Sequence, residues 1–119
     1  MKELTRAVHA LSDETRVRII NLIMERECCV CEVMQALNIS QTRASRNLKI
    51  LYDAGFLNMR NDGLFTLYSI NSESNDDFYA HLLQAVRKDL QTNTTARKDL
   101  RQLAKTKRVR PGFASRLVQ

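Results

Sequence analysis

The apolar residues in the first half of the chain recur every three or four positions, which is the spacing of amphipathic helices. The opening stretch shows this pattern at Leu4, Ala7, Val8 and Leu11. The same spacing predicts further helices over residues 13–26, 30 or 31 to 37, and 41–54. We expect Ser12 to cap the second helix, because a serine hydroxyl can accept a hydrogen bond from the first helical turn. The chain therefore begins with four short helices.

The periodicity changes after Gly55, a residue suited to the end of the fourth helix. Residues 56–60 and 64–70 are rich in aromatic and aliphatic side chains and predict two strands. The Asn-Asp-Gly segment at 61–63 predicts the tight turn of a β-hairpin. Because two strands alone are marginally stable in water, we expect this hairpin to pack against the helices.

A fifth, longer helix is predicted over residues 76–91. Its apolar side consists of Phe78, Leu82, Ala85, Val86 and Leu90. One more short helix is predicted over 96–106, followed by a basic tail with little to fold around. The chain thus divides into a domain of residues 1–92 and a C-terminal extension of residues 93–119, partly helical or disordered. The fold class is mainly α with a two-stranded β-hairpin, in the order α-α-α-α-β-β-α.

The net charge of +6 is concentrated near the C-terminus: residues 75–119 contain ten Lys/Arg and four Asp/Glu, whereas residues 1–74 contain nine of each. Overall basicity is therefore weak evidence for a nucleic-acid partner. Residues 41–60 nevertheless hold four basic side chains and one acidic side chain. No apolar run approaches the roughly 18 residues of a membrane span, and the N-terminus lacks the pattern of a signal peptide. We expect a cytoplasmic protein with no membrane partner.

Two short helices joined by a tight turn and followed by a hairpin predict a winged helix-turn-helix, which reads DNA with its second helix. The candidate DNA-binding residues are Ser40, Gln41, Thr42, Arg43, Ser45, Arg46, Lys49 and Arg60. Arginine can bind guanine, and glutamine can bind adenine, through paired hydrogen bonds. The residues placed to reach base edges are Gln41, Thr42, Arg43, Ser45 and Arg46, and those that can contact phosphates are Ser40, Thr42, Lys49 and Arg60. The alternative interpretation is ordinary helix packing with a solvated basic face.

All three cysteines lie within four positions, at Cys28, Cys29 and Cys31. In a reducing compartment such a cluster indicates free thiols, a metal site or a redox centre. Cys29 and Cys31 would diverge by about half a turn on a regular helix, so both can bind one ion only if the first turn is unwound. Cys28 and Cys31 could meet on one helical face, and the helix N-terminus favours thiolates. The alternative interpretation is three small buried apolar side chains.

Four stretches together resemble the arsenic-responsive repressors of the ArsR/SmtB winged-helix family. They are residues 11–19, residues 29–33 with the Cys-Val-Cys-Glu-Val sequence, residues 39–51, and the wing up to Tyr68. The resemblance implies a homodimer formed through the first and last long helices, and release from operator DNA when As(III) or Sb(III) binds the cysteines. Arsenic sensors with this sequence often have a third cysteine where Met34 stands, and Cys28 is the candidate replacement.

We expect a metalloid-responsive transcriptional repressor with no constitutive cofactor. The alternative within the same fold is a repressor whose cysteines sense oxidants. An enzyme is not expected, because a nucleophilic cysteine needs a base, and the only histidines are His9 and His81. A fourth possibility is a DNA-binding protein without a ligand, supported by the basic tail.

Overall fold

The computed structural model describes residues 1–72 and 77–118 and contains seven helices and three strands in these ranges. They are α1 (Lys2–Ala10), α2 (Glu14–Glu25), β1 (Cys28–Cys29), α3 (Val30–Leu37), α4 (Gln41–Asp53), β2 (Leu57–Asp62), β3 (Phe65–Ile70), α5 (Asp77–Leu90), α6 (Thr94–Leu103) and α7 (Pro111–Ala114). Residue 76, the predicted start of the fifth helix, lies outside the described residues. No described helix has the length and apolar character needed to cross a membrane.

Helix α2 begins one residue later than predicted, and its cap is Asp13 instead of Ser12. The Asp13 carboxylate accepts a hydrogen bond from the backbone N–H of Arg16 at 3.1 Å. The Ser12 hydroxyl instead donates to the carbonyl of His9 at 2.6 Å. Ser12 therefore belongs to the end of α1, and Asp13, whose backbone is extended, is the first residue free to cap α2.

Helices α3 and α4 form the predicted helix-turn-helix. Asn38 ends α3 in the left-handed conformation, with φ of 56°, and the Ser40 hydroxyl caps α4 by accepting from the N–H of Arg43 at 3.1 Å. The apolar side of α4 is fully buried at Ala44, Leu48 and Leu51. These contacts hold the start of α4 at the surface and its apolar side in the core.

Gly55 follows α4 with φ of 95°, as the sequence predicts for a helix-terminating glycine. A Cβ atom at this position would lie 2.7 Å from the Tyr79 hydroxyl oxygen. That hydroxyl donates to the carbonyl of Ala54 at 2.8 Å, which ties α5 to the end of α4. Glycine is therefore required here for both its backbone conformation and its small size.

The sheet has three strands in the order β1-β3-β2, where the sequence predicted two. Strand β1 is antiparallel to β3, with Cys28 opposite Tyr68 and Cys29 opposite Leu67. A two-residue strand is too short to show alternation, which is why the pattern missed it. The hairpin turn is also displaced: Asp62 pairs with Phe65, so the loop consists of residues 63 and 64.

The predicted apolar side of α5 is only partly covered in a single chain. The buried residue of α5 is Leu83, which is not on the predicted apolar side. Of the predicted side, Ala85 is exposed and the half-buried residues are Phe78, Leu82, Val86 and Leu90. On α1 the apolar side chains of Leu4 and Val8 are 45% and 52% exposed. The first and fifth helices thus keep apolar surface that the single chain does not bury.

The residues after position 92 pack against the preceding helices. Helix α6 lies against α2 and α3, and Leu103 and Ala114 belong to the same apolar core as the helix-turn-helix. The expectation that this basic segment has little to fold around is therefore wrong for the described residues. The division of the chain into a domain of residues 1–92 and an extension of residues 93–119 stays a prediction.

Candidate DNA-binding and thiol site

The start of α4 presents most of the predicted DNA-binding residues to solvent. The exposed ones are Ser40, Gln41, Thr42, Arg43, Arg46 and Lys49, and Ser45 is half-buried. They share one side of the helix because the opposite side is fixed in the core. A polar, basic helix N-terminus at the surface is what major-groove reading requires. The assignment of these residues as DNA contacts stays a prediction.

Two polar residues that the sequence did not single out orient α4. Asn47 is buried; its side-chain amide donates to the carbonyl of Arg43 at 2.9 Å, and its side-chain oxygen accepts from Arg16 at 3.2 Å. Thr15 accepts from the Arg43 guanidinium at 2.9 Å. The hydrogen bonds between Arg16 and Asn47 and between Arg43 and Thr15 connect α2 to α4. A polar residue at a buried helical position was the signal available for Asn47.

Two of the candidate phosphate contacts are engaged in ion pairs within the chain. Lys49 lies 2.9 Å from Asp53 on the same helix. Arg60 on β2 binds both carboxylate oxygens of Glu27, at 2.9 and 2.7 Å, and this hydrogen bonding lowers the pKa of Glu27. Because Glu27 directly precedes the cysteines, Arg60 links the wing to the thiol cluster.

Cys29 and Cys31 are joined by a disulfide, with Cα atoms 5.4 Å apart. On a regular helix the two side chains would diverge, and we expected that both could bind one ion only if the first turn was unwound. That expectation is wrong, because Cys29 is extended, at φ −88° and ψ 168°, and precedes α3 as its N-cap. The two sulfurs therefore meet without any unwinding of the helix.

Cys29 also takes part in a capping box at the start of α3. Its sulfur accepts a hydrogen bond from the N–H of Glu32 at 3.4 Å, and the Glu32 carboxylate accepts from the N–H of Cys29 at 2.9 Å. Serine or threonine usually fills this role, followed three residues later by glutamate. The Cys-Val-Cys-Glu sequence has that spacing with a sulfur in place of the hydroxyl, a signal that sequence reasoning missed.

Glu32 is only 4% exposed and is held by two arginines. Arg26 contacts one carboxylate oxygen at 2.7 Å, and Arg108 contacts the other at 3.1 Å. A buried carboxylate needs such partners, because an unpaired charge in the interior is costly. The start of α3 therefore depends on a charge cluster with one member from the C-terminal extension.

Cys28 occupies a different environment from the other two cysteines. It keeps a free thiol that is fully buried, with its sulfur 3.2 Å from the carbonyl oxygen of Arg26. Burial raises the pKa of Cys28 to about 12, and the nearby charge of Glu32 acts in the same direction. Within residues 1–72 and 77–118, no three His, Cys, Asp or Glu side chains form a cluster that could hold a metal ion. Ligation by all three cysteines stays a prediction.

The fold and the helix-turn-helix define a winged helix-turn-helix protein, and comparison with known proteins identifies its family. Residues 13–59 match the family described as "Bacterial regulatory protein, arsR family". The chain is 32% identical over 81 residues to the arsenical resistance operon repressor of Staphylococcus aureus, covering 68% of this chain and 78% of that protein. The chain belongs to the ArsR family. Membership in this family of regulators confirms the prediction that it is not an enzyme.

Two further similarities extend this result. The chain is 33% identical over 87 residues to a cadmium resistance transcriptional regulatory protein CadC homolog of Staphylococcus aureus, covering 72% of this chain and 66% of that protein. Its fold matches, with a TM-score of 0.65 and 26% identity, the homodimeric winged helix-turn-helix DNA-binding domain of a possible ArsR-family regulator from Mycobacterium bovis, over 77% of this chain and 83% of that one. The chain spans 66%, 56% and 50% of the lengths of the first three curated relatives it matches.

Proposed function

We propose that the protein is a cytoplasmic, dimeric transcriptional repressor that binds operator DNA when ligand-free and is released when As(III) or Sb(III) binds its cysteines. The observation that carries this proposal is the double role of Cys29. Its sulfur meets that of Cys31 and also caps α3, the first helix of the helix-turn-helix. A ligand at this sulfur would therefore act directly on the element that positions α4.

DNA binding is supported by the polar start of α4. Gln41 and Arg46 are exposed near its N-terminus, where side chains reach base edges in the major groove. Ser40 and Thr42 lie at the same end and can contact phosphates, and Lys49 lies on the following turns. Arg60 can join them only by leaving Glu27. We assign base reading to Gln41, Arg43, Ser45 and Arg46.

Dimerisation through α1 and α5 is supported by their uncovered apolar surface. Leu4 and Val8 on α1 are about half exposed, and the apolar side of α5 is only half-buried. A related DNA-binding domain from Mycobacterium bovis is described as homodimeric. Covering these side chains removes apolar surface from water, which favours association. Sedimentation velocity of the full chain should give twice the mass of one chain.

The sulfurs of Cys29 and Cys31 fit a soft, thiophilic ion as two of its ligands. A third thiolate would have to come from Cys28, whose side chain lies in the core and whose pKa is raised by burial. Cys28 must therefore rotate out of its present position to bind. Relatives are named as regulators of arsenical resistance and of cadmium resistance, so both kinds of ion are candidates and arsenite is the one we favour.

The coupling between ligand and DNA follows from the cap. Binding an ion would draw the Cys29 sulfur away from the Glu32 N–H, and loss of an N-cap costs a helix roughly 0.5–2 kcal/mol. Helix α3 leads through Asn38 and Ser40 into α4, so a change at its start alters how α4 is presented. A ligand that binds the altered state better shifts the population away from the DNA-binding form.

The test is an operator-binding titration with the reduced full chain. A duplex is first selected from a random-sequence library, and its affinity is measured by fluorescence anisotropy with a phosphine reductant, with and without arsenite. We expect arsenite to release the wild type, and Cys29→Ser and Cys31→Ser to stay bound. Serine retains an N-cap oxygen at residue 29, so DNA binding itself should persist in that variant.

Cys28→Ser is the matched comparison at the third thiol. Its response is lost if Cys28 is the third ligand and retained if only Cys29 and Cys31 bind. A cadmium titration beside the arsenite titration distinguishes the two classes of ion. Operator affinity that arsenite leaves unchanged in the wild type would contradict the sensing proposal, while failure to select any duplex would contradict DNA binding.

A thiol redox sensor is the second candidate, and the disulfide between Cys29 and Cys31 favours it. Hydrogen peroxide would oxidise the two thiols to the disulfide, taking two electrons and two protons and yielding two water molecules. The Cys29 sulfur would then be part of a disulfide instead of a thiol, and it would remain the cap of α3. Release of the reduced protein from DNA by peroxide but not by arsenite would select this function.

A further inference from the structure

The last residue of α6, Leu103, and the residues that follow it, 104–108, contact the chain on both sides of the cysteine sequence. Arg26 donates to the carbonyl of Leu103 at 3.2 Å and to the hydroxyl of Thr106 at 3.3 Å. Gln35 on α3 forms two reciprocal bonds with the backbone of Lys107, at 2.6 and 3.0 Å. These contacts come from the end of α2 and from α3, so the segment is fastened to both sides of the cysteine sequence.

Arg108 connects this segment to the cap of α3. Its guanidinium donates twice to one carboxylate oxygen of Glu32, at 3.3 and 3.1 Å. The same oxygen accepts the N–H of Cys29 at 2.9 Å, whereas Arg26 binds the other oxygen. Arg108 therefore acts on the atom that holds the Cys29 backbone, and Arg26 does not.

We propose that Arg108 is a positioning residue for the thiol site: through Glu32 it holds Cys29 as the N-cap of α3 and so sets how readily its sulfur is released to a ligand. The inference rests on the proposed function for its consequence on DNA, whereas the positioning of Cys29 is a set of contacts within the chain that involves no ligand. It gives the basic C-terminal extension a role in regulation that its composition alone does not indicate.

Three observations carry this assignment independently of the ligand. Glu32 is buried, so its orientation is fixed by its partners and not by water. The Cys29 N–H has the Glu32 carboxylate as its side-chain partner. Arg108 is anchored next to Lys107, whose backbone is held by Gln35. Removing the guanidinium would leave Glu32 with a cation on one oxygen only, and the other oxygen would be held by the Cys29 N–H alone, so the carboxylate could turn toward Arg26.

The experiment compares Arg108→Gln with Arg108→Lys and Asp99→Asn in the full, reduced chain. Asp99→Asn weakens a different attachment of the extension, the ion pair between Asp99 and Arg18, without touching Glu32. The first readout is the rate at which iodoacetamide labels Cys29 and Cys31, located by tandem mass spectrometry. The second is the arsenite concentration that releases half of the selected duplex.

We expect Arg108→Gln to raise the labelling rate of Cys29 by about fivefold, the order expected from one charge-assisted hydrogen bond that is partly solvated. Arg108→Lys should restore part of the difference, since it keeps the charge but not the paired geometry. Asp99→Asn should leave the labelling rate close to that of the wild type. The arsenite concentration for half-release should fall by a similar factor in Arg108→Gln.

Two outcomes would overturn the proposal. Equal labelling rates in wild type and Arg108→Gln would show that Arg108 does not position Cys29. Equal acceleration in Asp99→Asn and Arg108→Gln would mean that the extension acts only by its general attachment. If arsenite fails to release the wild type, the proposed function is wrong, while the labelling rates still decide the role of Arg108.

Discussion

The acidic side chains of Glu32 on α3 and Asp99 on α6 and the polar side chains at the start of α4 have opposite environments. Glu32 and Asp99 are nearly inaccessible and each is paired with arginine. At the start of α4, Gln41 and Arg46 are exposed. Buried charges need fixed partners, because water cannot stabilise them. Exposed charges need no such partners, so the side chains at the start of α4 remain available to bind a phosphate or a base.

The buried charges contribute to the stability of the fold, whereas the exposed side chains are available for DNA binding. A change in the buried cluster should alter folding first and DNA binding only as a consequence. A change on the exposed surface should alter DNA binding with little effect on folding. Cys29 lies between the two, because its sulfur is part of the buried cap and the helix it caps leads to the exposed surface. This position is what makes it suited to a switch.

The largest effect is expected when Arg18, the cationic partner of the buried Asp99, is removed. Arg18 binds both oxygens of Asp99, at 2.8 and 2.9 Å, and Asp99 is 1% exposed. Arg18→Ala leaves that carboxylate without its cation and should lower the free energy of unfolding by about 3 kcal/mol. Urea denaturation followed by circular dichroism measures the change. The control Lys98→Ala, at an exposed position beside Asp99, should unfold at nearly the wild-type urea concentration.

An intermediate effect is expected at the base-reading position Arg46. Arg46→Ala should weaken binding to the selected duplex by about 1–3 kcal/mol and relax the sequence preference at one position, with unfolding unchanged. The matched control is Arg101→Ala, which removes the same charge from an exposed position on α6. A comparable loss of affinity in both variants would show that charge alone, and not position on α4, is responsible.

The smallest effect is expected at the Lys49–Asp53 ion pair, which lies on the exposed surface of α4. Lys49→Ala should leave the unfolding transition in place, because exposed pairs contribute little. If Lys49 contacts a phosphate, the slope of log affinity against log salt should decrease by about one. If Lys49→Ala shifts the unfolding transition and leaves the salt slope unchanged, Lys49 stabilises the fold and does not contact a phosphate.

The sequence was sufficient for the helix-turn-helix because its signals are local. Asn38 and Gly55 act through their own backbone conformation, and Ser40 acts through a hydrogen bond to the first turn of its own helix. The apolar residues of α4 recur with a period that only one helix orientation can bury. The residues at the start of α4 were predictable for the same reason. The cap of α2 was assigned one residue early, because Ser12 and Asp13 are both good caps and only the end of α1 decides between them.

The thiol site could not be predicted in this way. Strand β1 exists because β3 lies beside it, and its two residues carry no periodicity of their own. Pairing with β3 makes Cys29 extended, so the sulfurs of Cys29 and Cys31 meet, while Cys28 is buried in the core. On one regular helix Cys28 and Cys31 would share a face and Cys29 and Cys31 would diverge, whereas the observed pair is Cys29 and Cys31.

The sequence by itself determined the order of α1 to α5 and of the two hairpin strands, the reading helix and the presence of three close thiols, because these follow from spacing along one chain. Only the tertiary structure decided which thiols meet and what holds them. Glu32 and Arg108 are 76 residues apart, yet they form the charge pair at the cap of α3. Such a contact depends on how α6 packs against α3, and no local pattern in the sequence encodes it.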